Sequence, residues 1–149
     1  ETVSVTELTE QAYQLVAVSM DLRDIRWKCH VEPGCSFQGD LSWSVEAVGN
    51  ILKNCMEYSE PGGAITVEGT ENPLYTELMI RDEGKGIAPE DLPHLFERFY
   101  RGKHNSTESV GIGLSLAQKI ITQQNGTIQV KNGTKRGAVF TIRFYKSVI

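Results

Sequence analysis

A chain of 149 residues, 40% hydrophobic and 23% charged, is long enough to bury one domain core and short for two. A formal charge of −4 with no Lys/Arg-rich run argues against nucleic acid as a partner, and no apolar stretch reaches membrane-spanning length. Three cysteines, Cys29, Cys35 and Cys55, form no Cys-x-x-Cys pair and fit reduced thiols in a cytosolic protein better than a disulfide framework. Opening on Glu1 and not on Met, the chain is expected to be a piece of a longer protein. The Asn-x-Thr sequons at Asn105, Asn125 and Asn132 read as chance occurrences in turn-rich sequence.

From Thr6, a plausible N-cap, to about Asp21 the positions Leu8, Ala12, Leu15, Val16 and Ser19 recur at helical spacing. Ile25, Trp27, Cys29 and Val31 then alternate with Arg26, Lys28 and His30, the pattern of a half-buried strand. Pro33-Gly34 turns the chain into a short returning strand at Ser36–Gln38. Asp40 or Ser42 caps a long helix to about Ser59. Its charged residues Glu46, Lys53 and Glu57 share one face, and Val45, Val48, Ile51, Leu52, Cys55 and Met56 cover the other.

Asn50, Asn54 and Tyr58 stack at i, i+4, i+8 along the border of these two faces. Asn is a poor helix former, so two in one stripe are a local cost. At a border they can look into a cleft, where an Asn oxygen can ligate a hard cation such as Mg²⁺ with its phosphates; they can equally bond neighbouring loops.

Pro61-Gly62-Gly63 ends the helix. Ala64–Gly69 and Tyr75–Arg81 read as a hairpin across Glu71-Asn72-Pro73. The second strand delivers Asp82-Glu83-Gly84-Lys85-Gly86-Ile87. Gly84 and Gly86 permit positive φ and let a flat ligand approach. The Asp82 carboxylate, acceptor-only when ionised, suits an N–H donor such as the adenine amine. Alone, the pattern is more often a tight turn with a solvated Asp.

Pro89 suits the first position of a short helix. Leu95, Phe96 and Phe99 form an apolar cluster in which Phe96 reads as core. Gly102 to Val110 is polar and without periodicity, as in a mobile surface loop. Gly111-Ile112-Gly113 opens a helix through Leu114, Leu116, Ala117, Ile120 and Ile121, and its free N–H groups make a phosphate site. It is no dinucleotide fingerprint, because Leu116 stands where the third Gly belongs. Asn125-Gly126 stops the helix at a left-handed position. Two last strands, Thr127–Lys131 and Ala138–Tyr145, complete the chain.

Taken together, the stretches resemble the ATP-binding catalytic domain of sensor histidine kinases, within the superfamily of gyrase-type, chaperone, kinase and mismatch-repair ATPases. Asn50-Ile-Leu-Lys-Asn54-Cys-Met-Glu-Tyr58-Ser resembles the N box. Asp82-Glu-Gly84-Lys-Gly86-Ile87 resembles the G1 box, Leu95-Phe-Glu-Arg-Phe-Tyr-Arg101 the F box, and Gly111-Ile112-Gly113-Leu114 the G2 box. The four occur in order over most of the chain.

The resemblance implies an α+β fold over residues 1–149, a two-layer Bergerat-type sandwich. A mixed sheet of about five strands would be backed by about three helices, with a flexible ATP lid. It implies ATP and Mg²⁺ as ligands. Asp82 would read the adenine amine, with Gly84, Gly86 and Ile87 forming the loop beside it and Tyr58 packing near the base. Asn54 would ligate Mg²⁺ and Asn50 would sit at the phosphates as the catalytic candidate. Gly111, Ile112, Gly113 and Leu114 would hinge the lid, with Arg101 or Lys103 neutralising phosphate charge.

The implied activity is protein-histidine kinase, inactive in isolation, because the acceptor hairpin is absent and His30, His94 and His104 lie in no acceptor-like helix. The implied partners are the dimerisation/acceptor-His domain of the same protein and a response regulator. The parent would be homodimeric and anchored in a bacterial plasma membrane, with this domain on the cytoplasmic side.

An ATP hydrolase of the gyrase type needs a general-base Glu four residues before the Mg²⁺-ligating Asn. That position is Asn50, which cannot serve. A degenerate nucleotide-binding module and an anti-sigma serine kinase are the alternatives. Two residues depart from the family pattern. Glu57, which the resemblance places among the nucleotide-binding residues at the phosphate rim, stands where a basic residue facing phosphate is common, and Ala138 stands where a Thr helps hold water near adenine.

Overall fold

The computed structural model describes residues 1–97, 113–134 and 136–147. In chain order the elements are β1 (Thr2–Ser4), α1 (Val5–Gln14), α2 (Ala17–Leu22), β2 (Arg26–Val31), β3 (Ser36–Gln38), α3 (Leu41–Tyr58), β4 (Ala64–Glu71), β5 (Tyr75–Arg81), a 3₁₀ turn (Leu92–His94), α4 (Gly113–Gln123), β6 (Gly126–Asn132) and β7 (Ala138–Tyr145).

Five strands form one mixed sheet in the order β2-β4-β5-β7-β6. β2 runs parallel to β4, and the other neighbours are antiparallel. The parallel pair needs a long crossover, which β3 and α3 supply. The hairpin between β4 and β5 turns on Asn72, whose Oδ1 accepts from the N–H groups of Leu74 (2.8 Å) and Tyr75 (2.9 Å).

Alternation decides which face is buried. On β5, Thr76, Leu78 and Ile80 point into the core, and Phe140, Ile142 and Phe144 do the same from β7. Leu8 and Ala12 of α1, Ile51, Leu52 and Cys55 of α3, and Ala117 and Ile121 of α4 meet them in a second layer. Fully burying an aliphatic side chain of this size stabilises the fold by about 2 kcal/mol, so this interlayer core dominates the fold's stability. The other sheet face stays polar, with ion pairs Arg81–Glu68 (2.6 Å) and Arg143–Glu77 (2.9 Å). An α+β two-layer sandwich with a five-stranded mixed sheet is thus observed.

Several boundaries differ from expectation. The single helix over 6–21 is two: α1 ends at Gln14 with Leu15 as its C-cap, and Val16 (φ −122°, ψ −5°) leaves the helical region before α2 begins. Straight continuation would rotate the apolar stripe away from the sheet. The break instead buries both Val16 and Met20, and leaves Leu15 half-exposed. The N-cap is Ser4, whose Oγ accepts from Glu7 N–H at 3.3 Å, and not Thr6. β3 does not return onto β2; it pairs with β1, an element without a local signal. The short helix begins at Leu92 and not at Pro89. Asp40 is the α3 cap, accepting from Trp43 N–H at 2.8 Å. Asn125 takes φ +61° after α4, as its Asn-Gly sequence suggests. Among the described residues no helix is long and apolar enough to cross a membrane.

Candidate functional site

The inward series of β5, Thr76, Leu78 and Ile80, has Asp82 as its next member, one residue past the strand. Strand periodicity thereby drives a carboxylate into an apolar layer, where it is 1% exposed. It is not the solvated Asp of a simple turn. Its Oδ1 accepts from Gly84 N–H (2.9 Å) and Ala138 N–H (3.2 Å). Its Oδ2 is buried without a partner in hydrogen-bonding geometry. From α3 the thiol of Cys55, a weak donor, lies against the same carboxylate. Burial pushes the Asp82 pKa up, opposed by the two backbone N–H groups and the thiol. An orphaned buried acceptor costs free energy until a donor meets it, so this oxygen is a prepared seat for an N–H group.

The segment after Asp82 is shaped by close contacts. A Cβ on Gly84 would fall on the Tyr58 carbonyl oxygen, so only glycine lets this turn pack against the end of α3. A Cβ on Gly137 (φ +80°) would fall on the Asp82 carbonyl oxygen. Gly86 takes φ +81°, and Ile87, 3% exposed, closes the segment into the core. The Glu83 carboxylate accepts from Ala64 N–H at 3.1 Å. Asn132, on β6, holds Ile87 twice: its Oδ1 accepts from Ile87 N–H (2.7 Å) and its Nδ2 donates to Ile87 O (2.8 Å).

On α3, Asn50 and Asn54 are half-buried and Tyr58 is buried, the border stripe expected from their spacing. Asn50 faces the start of α4, where a Cβ on Gly113 would lie 3.7 Å from its Cγ. Leu114 is buried below. The N-terminal, positive end of α4 thus lies beside an amide that can donate and accept. Asn54 Oδ1 is, like Asp82 Oδ2, a buried oxygen left without a hydrogen bond. A hard-cation ligand is the chemistry that suits it. No cluster of three or more His, Cys, Asp or Glu side chains suited to a metal exists among the described residues. A cation here would therefore take Asn54 together with oxygens of a ligand. Glu57 departs from the other charged residues of its helix face: Glu46 and Lys53 are exposed, whereas Glu57 is half-buried with its Oε2 removed from solvent.

Of the four boxes, the described structure brings together Asn50, Asn54, Tyr58, Asp82, Gly84, Gly86, Ile87, Gly113 and Leu114. Arg101, Lys103, Gly111, Ile112 and the lid over 100–110 lie outside the described residues, as does Phe99; Phe96 packs on the core as expected. A cleft of about 800 Å³ lined by Met79, Arg81, Lys131 and Arg136 opens on the polar sheet face and reaches Asp82, Glu83 and Asn132 at its edge. The orphaned acceptors, and not that cleft, mark the site. Two participants were not foreseen, the Cys55 thiol and the Asn132 amide, and Ala138, expected near adenine for its missing hydroxyl, takes part through its backbone N–H. Only Asn132 carried a visible signal, its Asn-Gly pair, and that signal reads as a turn.

Comparison with known proteins bears on family and fold. Residues 39–147 match the family described as Histidine kinase-, DNA gyrase B-, and HSP90-like ATPase. Sensor histidine kinase YvrG of Bacillus subtilis is 35% identical over 119 residues, which cover 78% of this chain and 20% of YvrG. The chain likewise spans 35% of the length of sensor-like histidine kinase SenX3 of Mycobacterium tuberculosis, at 29% identity. The solved mycobacterial sensor histidine kinase MprB superposes with a TM-score of 0.84 at 28% identity, covering 100% of both chains. Histidine kinase ThkA, solved in complex with the response regulator protein TrrA, shares the fold with a TM-score of 0.81 at 19% identity over 99% of this chain and 42% of that one.

Proposed function

This chain belongs to the histidine kinase-, DNA gyrase B- and HSP90-like ATPase family, and on that premise we propose that it is the ATP-binding catalytic domain of a longer sensor histidine kinase. It binds ATP with Mg²⁺ and presents the γ-phosphoryl group to a histidine on a separate acceptor hairpin of its parent. The observation that carries this reading is the divided Asp82 carboxylate: one oxygen saturated by backbone N–H groups, the other buried and unmet. Oδ2 accepts the exocyclic amine of adenine, with Gly84 and Gly86 admitting the ring and Tyr58 beside it. Asn54 Oδ1 would hold the cation, whose charge offsets that of the phosphates. Asn50 and the N–H groups that open α4 orient the phosphate chain, and Arg101 or Lys103 adds positive charge. Phosphoryl transfer asks mainly for such positioning and charge compensation. Asn50 cannot take a proton from water, which favours transfer to an acceptor over hydrolysis.

The sensor-kinase names of the relatives and the ThkA–TrrA complex support a response regulator as the downstream partner. On this reading the parent is a homodimer anchored in a bacterial plasma membrane, with this domain in the cytoplasm. The test is ATP titration and phosphate incorporation with wild type and Asp82→Asn. The substitution sets a donor amide against the adenine amine and costs about 2 kcal/mol of binding or more. Mixed with its parent's acceptor hairpin, wild type labels the hairpin; alone it labels none of His30, His94 or His104. Equal ATP affinity in the two proteins refutes the assignment.

A further inference from the structure

The two ends of the Asp82–Ile87 segment are gripped by one register pair of the sheet. Asn132 and Ala138 face one another across the last rung of β6 and β7. Ala138 exchanges two bonds with Asp82, and Asn132 exchanges two with Ile87. Gly86 is pressed against the same amide, since a Cβ there would lie 2.8 Å from Asn132 Oδ1. The segment has no other side-chain bond to β6 among the described residues.

We propose that Asn132 is a positioning residue for base recognition. By holding Ile87 at both its N–H and its carbonyl, it fixes the segment that aims Asp82 Oδ2, and so sets how well the site distinguishes a base bearing an amine from one bearing a carbonyl. This rests on the reading of Asp82 as the adenine acceptor. An Asn is suited to the task because its amide offers both a donor and an acceptor, and so imitates the backbone of a neighbouring strand. Asp at the same position keeps the acceptor for Ile87 N–H and loses the donor to Ile87 O. Ala loses both.

The deciding quantity is the ratio of affinities for ATP and inosine triphosphate, which carries a carbonyl in place of the adenine amine. A purely structural role lowers the folded fraction and moves both affinities together, leaving the ratio unchanged. The proposal expects Asn132→Ala to cut the ratio by about fivefold, with Asn132→Asp between Ala and wild type. A fall of about threefold or more supports it, and a smaller one overturns it. Asp82→Asn is the control. If wild type does not favour ATP, or Asp82→Asn retains the preference, the Asp82 reading fails and this inference with it. If Asp82→Asn abolishes the preference and Asn132→Ala keeps it, only the role of Asn132 fails. Should the Asn132 variants not fold, amide exchange in wild type decides. Adding adenosine should slow exchange at Ile87 together with Gly84 and Ala138, and an Ile87 amide indifferent to adenosine overturns the coupling.

Discussion

Asp82 and Ala138 hold one another twice: the Asp82 N–H donates to Ala138 O at 3.1 Å, and the Ala138 N–H donates to Asp82 Oδ1 at 3.2 Å. The reciprocal pair commits one carboxylate oxygen and leaves the other buried. Burial raises the Asp82 pKa, so the carboxyl takes up its proton at a higher pH than an exposed Asp would.

The first prediction concerns acid. Once protonated, Oδ2 turns from acceptor to donor and opposes an amine. Adenosine affinity should therefore decline on acidification while the pH is still above the ordinary Asp range of about 4, and binding in that window should release protons. Folding responds with the opposite sign. A raised acid pKa means that Asp82 favours the folded state most below its unfolded value, a contribution lost as pH rises through the folded one. Asp82→Asn should remove that slope without lowering the melting temperature at neutral pH. Calorimetry across a pH series checks both, and an affinity flat down to about pH 4 would contradict the burial argument.

A second prediction separates Asn54 Oδ1 from Asp82 Oδ2. Asn54→Ala removes the one on α3 and leaves Asp82 intact. Affinity for ATP in the presence of Mg²⁺ should fall by about tenfold or more, while adenosine affinity barely moves. Titrating Mg²⁺ at fixed ATP should show the dependence flattened in the variant. Equal losses for ATP and adenosine would place Asn54 at the base and not at the phosphates.

Glu57 supplies the third. It is half-buried with a shielded Oε2, unlike its exposed neighbour Lys53. One helical turn from Asn54 and two from Asn50, a carboxylate there weakens phosphate binding through charge repulsion, screened by solvent and salt. Glu57→Lys should raise ATP affinity by about threefold to tenfold, ADP affinity less, and adenosine affinity hardly at all. Gains equal across the three ligands would show that Glu57 does not address the phosphates.

What was legible in the chain follows from the range of the forces involved. The strand bounds of β5 and β7, the Asp40 cap and the Asn125 stop are written in residues within four positions of one another, and each appears where periodicity or capping chemistry puts it. The burial of Asp82 was implicit in the β5 alternation, although a count of glycines alone points to a solvated turn. β1 escaped because three residues carry no period, and its partner β3 lies some thirty residues on. The break at Val16 escaped because helical spacing describes a straight rod, while the layer beneath it requires a bend. Asn132 escaped because its partner, Ile87, is forty-five positions away, and nothing local distinguishes a clamp from a turn.

The contact between Gly84 and the Tyr58 carbonyl has a genetic side. Every amino-acid change at a glycine adds a side chain, and at Gly84 any side chain lands on backbone. Inheritable loss of function should therefore arise there through protein that is cleared from the cell, whatever the incoming residue. Two positions earlier, Asp82→Asn alters recognition and leaves the scaffold standing, so its product should accumulate as a silent receptor. Two alleles almost adjacent in the gene would share a phenotype and differ in the abundance of their products.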